Sequence, residues 1–146
     1  VPPIEAEGLY HGISAAIEFA VCELEVAHII VLGHAHCGGI QALLEGMTPH
    51  HPRGGFVAAW MSIAHAARAR VLAQDNLATP EARARACEQA AIKLSLENLM
   101  SFPWVSERVD QGSLQLDGWY YDLDHGDLQR LNPARGRFVS VTAASR

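Results

Sequence analysis

The sequence reads as an α/β domain with a mainly parallel β-sheet flanked by helices, on three grounds. Residues 28–33, His-Ile-Ile-Val-Leu-Gly, form a β-branched run without alternation, as expected of a strand covered on both faces in a parallel sheet. Gly38 and Gly39 follow it at once, marking a tight passage into a helix. Long segments of helical periodicity lie on both sides of this strand and turn, which is the grammar of alternating strands and helices.

Over residues 12–24 the apolar side chains Ile13, Ala16, Ile17, Ala20, Val21 and Leu24 recur at helical spacing, which predicts an amphipathic helix with Cys22 on the opposite face. After the strand, Ile40, Ala42, Leu43 and Leu44 predict a short helix that ends near Gly46. Residues 47–55, with Pro49, His50, His51, Pro52, Gly54 and Gly55, predict an exposed loop. Alanine-rich helices are expected over 56–72 and 81–100, the second with Pro80 in its first turn. A second strand is predicted over 114–121, and Asp124-His125-Gly126-Asp127 reads as a hairpin turn into residues 128–131. The last fifteen residues, with Phe138-Val139-Ser140-Val141, suit either an edge strand or a loose tail.

Composition narrows the function classes. The chain has 146 residues, 49% hydrophobic and 18% charged, the profile of one soluble globular domain spanning 1–146. Eleven basic against sixteen acidic residues give a net charge of −5, which supplies no cationic face for nucleic acid. No apolar run reaches membrane-spanning length, so no membrane partner is expected. Cys22, Cys37 and Cys87 are an odd number without framework spacing, which argues for a reducing compartment, the cytoplasm by default.

The stretch that carries chemistry is Gly33-His34-Ala35-His36-Cys37-Gly38-Gly39, placed where a strand ends and a helix begins. Open α/β sheets bind ligands at that end. His34 and Cys37, three apart on such a turn, can reach one metal ion, and an imidazole with a thiolate suits zinc. The helix start beyond the glycines favours a thiolate at Cys37. From spacing alone, a buried cysteine beside two turn histidines is an equal reading, and catalytic zinc needs a third protein ligand. A thiol nucleophile with His34 or His36 as its base fits poorly, because cysteine hydrolases keep that histidine far away in sequence.

Around this turn, Ala15-Ala16-Ile17-Glu18-Phe19-Ala20-Val21 and Leu24-Glu25-Val26-Ala27-His28-Ile29-Ile30-Val31 lead into Gly33-His34 and Cys37-Gly38-Gly39-Ile40. Further on stand Trp60, Ser95-Leu96-Glu97-Asn98-Leu99, Pro103-Trp104-Val105, Gly112, and Gly118-Trp119-Tyr120-Tyr121-Asp122 with Gly126. Together these segments resemble the central and C-terminal parts of β-class carbonic anhydrases, from Val1 to about Leu131. The resemblance implies zinc-dependent, reversible hydration of CO₂ to bicarbonate and a proton, with His34 and Cys37 as two zinc ligands. It also implies a homodimer or higher homo-oligomer with the active site near a subunit interface.

The family's third ligand lies in a Cys-x-Asp-x-Arg segment, which this sequence does not contain. The paired aspartate and arginine belong to that segment, so no catalytic residue is assigned here. By the resemblance, Val1-Pro2-Pro3 falls just after the family's Arg-Asn-x-Ala-Asn turn, so the domain is expected to be N-terminally incomplete, with an unpaired strand edge where a neighbour is missing. Alone, the chain is then expected to bind zinc poorly and to be inactive, unlike an N-terminally extended version. The alternative is a non-catalytic carbonic-anhydrase-like scaffold or interaction subunit.

Other residues receive plainer readings. Cys22 is expected to be a surface or subunit-contact thiol, Cys87 a small core residue, and His50, His51 and His65 no ligands. His36 is either a proton shuttle or a solvated turn histidine. Trp119, Tyr120 and Tyr121 read as core and interface packing, and Asp122, Asp124 and Asp127 as a solvated hairpin without a calcium-loop pattern.

Overall fold

The computed structural model describes residues 1–4, 11–46 and 55–141. The predicted loop at 47–55, with His50 and His51, lies almost wholly outside the described residues, as do the last five residues. Helix α1 spans Gly12–Glu18 and runs on as a π-helical turn over Phe19–Glu23. Strand β1 follows at His28–His34, then helix α2 at Gly38–Leu44. The 56–72 helix is present but broken: α3, Phe56–Met61, passes through a 3₁₀ turn at Ser62–Ala64 into α4, His65–Leu72.

Helix α5, Pro80–Leu99, is the long element of the fold. Its start is well specified. The Thr79 hydroxyl caps it by accepting from the Ala82 N–H at 3.1 Å, and Pro80 occupies the first turn, where its missing N–H costs nothing. Helix α6, Pro103–Asp110, was not anticipated, although its signals are in the sequence. Pro103 opens it, and Gly112 at φ +71° closes it. There the N–H groups of Gly112 and Ser113 return to the carbonyls of Val109 and Arg108, the double bond of a Schellman stop.

Strands β2, Gln115–Asp122, β3, Asp127–Asn132, and β4, Arg137–Ser140, complete a sheet of order β1-β2-β3-β4. The expected mainly parallel sheet is corrected to a mixed one. β1 and β2 pair in parallel, whereas β2-β3 and β3-β4 are antiparallel, because the turns after Asp122 and Asn132 are too short for a crossover. For residues 137–140 of the ambiguous tail, β4 is an edge strand.

Helix α5 covers one face of this sheet. Its successive turns feed three clusters of buried side chains: Cys87 packs with Ile40, Leu43 and Val71, Ile92 with Ala35 and Tyr120, and Leu99 with Val21, Phe102 and Val105. The approach is close because β1 and β2 each present a glycine under Ile92. A Cβ on Gly33 would lie 2.7 Å from Ile92 Cδ1, and one on Gly118 would lie 3.0 Å from Ile92 Cγ2. The opposite face differs from expectation. β1 alternates between half-buried and exposed residues, with Ile30 49% and Leu32 62% exposed, so it is covered on one side only among the described residues. Its outer edge carries no strand partner there. Among the described residues no helix is long and apolar enough to cross a membrane.

Candidate functional site

β1 and β2 run in parallel and end together, so the turn after His34 and the turn after Asp122 share one end of the sheet. Tyr120 is in register with Gly33 and Tyr121 with His34, and the Ala35 N–H donates to the Tyr121 carbonyl at 2.9 Å. The first half of α5 brings Arg85 and Glu88 to this end, where α2 also begins.

His34 is exposed at the strand end, and its Nδ1 lies 2.8 Å from the Ala35 carbonyl oxygen. A carbonyl only accepts, so Nδ1 carries the proton and Nε2 keeps its lone pair for a ligand. Cys37 is a free, half-buried thiol at the N-cap of α2, in extended conformation at φ −68° and ψ 112°. Both side chains line one cavity of about 440 Å³, whose apolar walls include Ile17, Val31, Ile40, Met61 and Ile92. The two sequence-predicted ligands are thus brought to one cavity. An imidazole with the correct nitrogen free and a thiol match two of the four positions of a tetrahedral zinc shell. No group of three or more His, Cys, Asp or Glu side chains able to hold a metal is found among the described residues.

The other candidates separate from this pair. Cys22 is exposed on the far face of the first helix, and Cys87 is fully buried, where loss of solvent pushes its thiol up to about 11. His65 is exposed at the start of α4. His36 is a solvated turn residue, yet it is not idle: at φ +57° it turns its Nε2 to donate to Asp124 Oδ1 at 2.7 Å, joining the β1-α2 turn to the β2-β3 turn. The hydrogen bond to Asp124, with that residue's charge, raises the His36 pKa.

The solvated-hairpin reading fails at Asp122, which is 3% exposed. The Asp122 carboxylate accepts from Arg85 Nη1 at 2.8 Å, from His125 Nδ1 at 3.1 Å and from the Asp124 N–H at 3.0 Å. The Arg85 guanidinium, aided by these other donors, holds its pKa down to about 2.

Sequence reasoning missed Glu88 altogether. This carboxylate is 5% exposed and accepts on both oxygens, from the Cys37 N–H at 3.0 Å and from the Tyr120 hydroxyl at 2.8 Å. Burial, followed by that bond, pushes the Tyr120 phenol pKa upward. A signal existed: Glu88, Ile92, Ser95 and Leu99 follow one helical stripe, so a charged residue stands in line with core positions.

The comparisons agree on what the chain is similar to. The family model for carbonic anhydrase matches residues 1–128. Beta carbonic anhydrase 5, chloroplastic, of Arabidopsis thaliana is 38% identical over 123 residues, covering 84% of this chain and 40% of that protein. Beta carbonic anhydrase 6, mitochondrial, of the same plant is 37% identical over 118 residues, covering 80% and 40%. The solved β-carbonic anhydrase CcaA superposes with a TM-score of 0.85 at 30% identity, over 96% of this chain and 61% of that one. One of two tetrameric β-carbonic anhydrases from Sordaria macrospora gives 0.70 at 26% identity, over 82% and 59%. The chain therefore spans about two fifths of the length of these curated relatives.

Proposed function

Because this chain belongs to the β-class carbonic anhydrases, we propose that the protein catalyses the zinc-dependent, reversible hydration of CO₂ to bicarbonate and a proton. His34 through Nε2 and Cys37 through its thiolate are the two metal ligands that this chain supplies. The observation that carries the reading is the His34 ring, whose Nδ1 bonds the Ala35 carbonyl and so leaves Nε2 available to a metal, in a residue that lines one cavity with Cys37. Zinc held there would supply Lewis acidity that lowers the pKa of bound water to about 7.

The chain's own residues do the rest of the work assigned here. Ile17, Val31 and Ile92 wall the cavity with apolar surface that suits an uncharged, non-polar substrate such as CO₂. The strand β1 and the Glu88 bond to the Cys37 N–H hold the two ligands on one short turn. The remaining ligand is assigned to a Cys-x-Asp-x-Arg segment, which residues 1–146 do not contain, so this chain by itself is assigned no hydration activity. Assembly into a homo-oligomer is part of the proposal. It is supported by the tetramers of the Sordaria relatives and by the exposed Ile30 and Leu32 on the sheet face left uncovered among the described residues. A reducing compartment such as the cytoplasm is proposed from the three free cysteines.

The test is stopped-flow CO₂ hydration on the native gene product and on residues 1–146 in parallel. Activity in the native product that is abolished by His34→Ala and by Cys37→Ala is expected, with none in residues 1–146. Full activity in either variant would contradict the proposal.

A further inference from the structure

Glu88 is a buried carboxylate, 5% exposed, with both of its oxygens hydrogen-bonded. A buried carboxylate costs several kcal/mol unless its oxygens are bonded, and an apolar residue of similar volume would fill the same place more cheaply. Both oxygens here are bonded to groups distant in sequence, the Cys37 N–H on the α2 turn and the Tyr120 hydroxyl on β2. Glu88 also lines the apolar cavity that His34 and Cys37 share, and a second, more polar one of about 430 Å³ on which Cys37 and Tyr120 both open.

The Cys37 N–H belongs to a residue that lines both cavities, so fixing it restricts the backbone rotation that would move its sulfur. Tyr120 fixes Glu88 in turn. It is fully buried, packed edge-on against Phe138 with ring centroids 6.0 Å apart, and it is paired in register with Gly33, the residue before His34. One tyrosine thus sets both ends of the His34 to Cys37 turn: the strand end through β-pairing, and the cysteine end through Glu88.

We propose that Glu88, clamped by Tyr120, is a positioning residue that presents Cys37 to the metal; this rests on the metal reading of His34 and Cys37 given above. Outer partners of metal ligands commonly change metal affinity by about 10–100-fold when removed.

The experiment compares the unsubstituted native gene product with its Glu88→Ala, Glu88→Gln and Tyr120→Phe variants. One arm follows the Cys37 amide proton without metal, by its chemical shift and exchange rate. The other titrates Co²⁺ and reads the thiolate-to-cobalt charge-transfer band. In Glu88→Ala the Cys37 amide should lose its low-field shift, exchange about tenfold faster or more, and be accompanied by about 10–100-fold weaker Co²⁺ binding. Glu88→Gln keeps an acceptor oxygen for the Cys37 N–H and should restore both readouts most of the way. Tyr120→Phe should loosen both in the same direction by a smaller factor.

An unchanged Cys37 amide and unchanged Co²⁺ affinity in Glu88→Ala would overturn the proposal. So would Glu88→Gln proving as damaging as alanine. If the alanine variant does not fold, Tyr120→Phe decides, and native-like values in it overturn the clamp. A missing charge-transfer band in the unsubstituted protein overturns the metal reading, and with it the metal role of Glu88. An unaffected amide in Glu88→Ala beside a normal band in the unsubstituted protein overturns the Glu88 proposal alone.

Discussion

Replacing Gly33 by alanine tests whether the contact between α5 and the sheet is as close as the glycines imply. The added Cβ would meet Ile92 Cδ1 at 2.7 Å and Cγ1 at 2.8 Å, whereas carbon atoms rest at about 3.5–4.0 Å, so roughly 1 Å must be absorbed. Ile92 has little freedom to move. It is 3% exposed and lies over Gly118 of the neighbouring strand, where an added Cβ would come within 3.0 Å of its Cγ2. Overpacking of this kind costs about 1–3 kcal/mol, and in a domain of this size that lowers Tm by roughly 2–10 °C. Urea unfolding should show a lower midpoint with an unchanged slope. The strain has a local partner: Ile92→Val removes Cδ1, so the double variant should be less destabilised than the sum of the two single ones by about 0.5 kcal/mol or more. A Gly33→Ala protein within about 0.5 kcal/mol of the original, or strict additivity in the cycle, would refute the reasoning.

Three further outcomes follow from the same contacts. Asp122 has a depressed pKa, so its stabilising contribution is complete above the ordinary carboxylate range near about 3.9 and is lost as pH falls toward about 2; urea titrations across that window should be flatter in Asp122→Asn, and parallel curves would contradict this. A thiol reagent at neutral pH should modify exposed Cys22 in the folded protein and reach Cys87 only on unfolding, since that thiol is fully buried and raised to about 11; native-state labelling of Cys87 would contradict the packing. Thr79→Ala removes the cap of α5 and should cost about 1 kcal/mol in the same urea assay.

What was legible in the sequence, and what was not, divides along physical lines. The β1 run, the Gly38-Gly39 passage and the capped start of α5 are local signals, and each element stands close to where its residues place it. The hairpin after Asp122 is equally local, but its antiparallel consequence outweighs the single parallel pair, and the sheet is mixed. Whether β1 is covered on its second face depends on what lies beyond it, which an apolar run such as Ile29-Ile30-Val31-Leu32 cannot report. Helix α6 was readable from Pro103 and Gly112 and was overlooked because its segment is short.

At the site, the spacing of His34 and Cys37 fits a buried cysteine beside turn histidines as well as a ligand pair, and it is the family resemblance that singles the two out as proposed ligands. Asp122 and Glu88 did not stand out, because carboxylates are ordinary on hairpins and helices, and only the fold brings Arg85 to one and the Cys37 N–H and Tyr120 to the other.

The proposal that one imidazole and one thiolate of this turn hold a zinc ion can be checked by anomalous diffraction at the zinc edge of the native gene product. A single peak per subunit is expected about 2.0–2.1 Å from His34 Nε2 and about 2.3 Å from Cys37 Sγ. A zinc peak elsewhere, with both side chains free of metal, would contradict it.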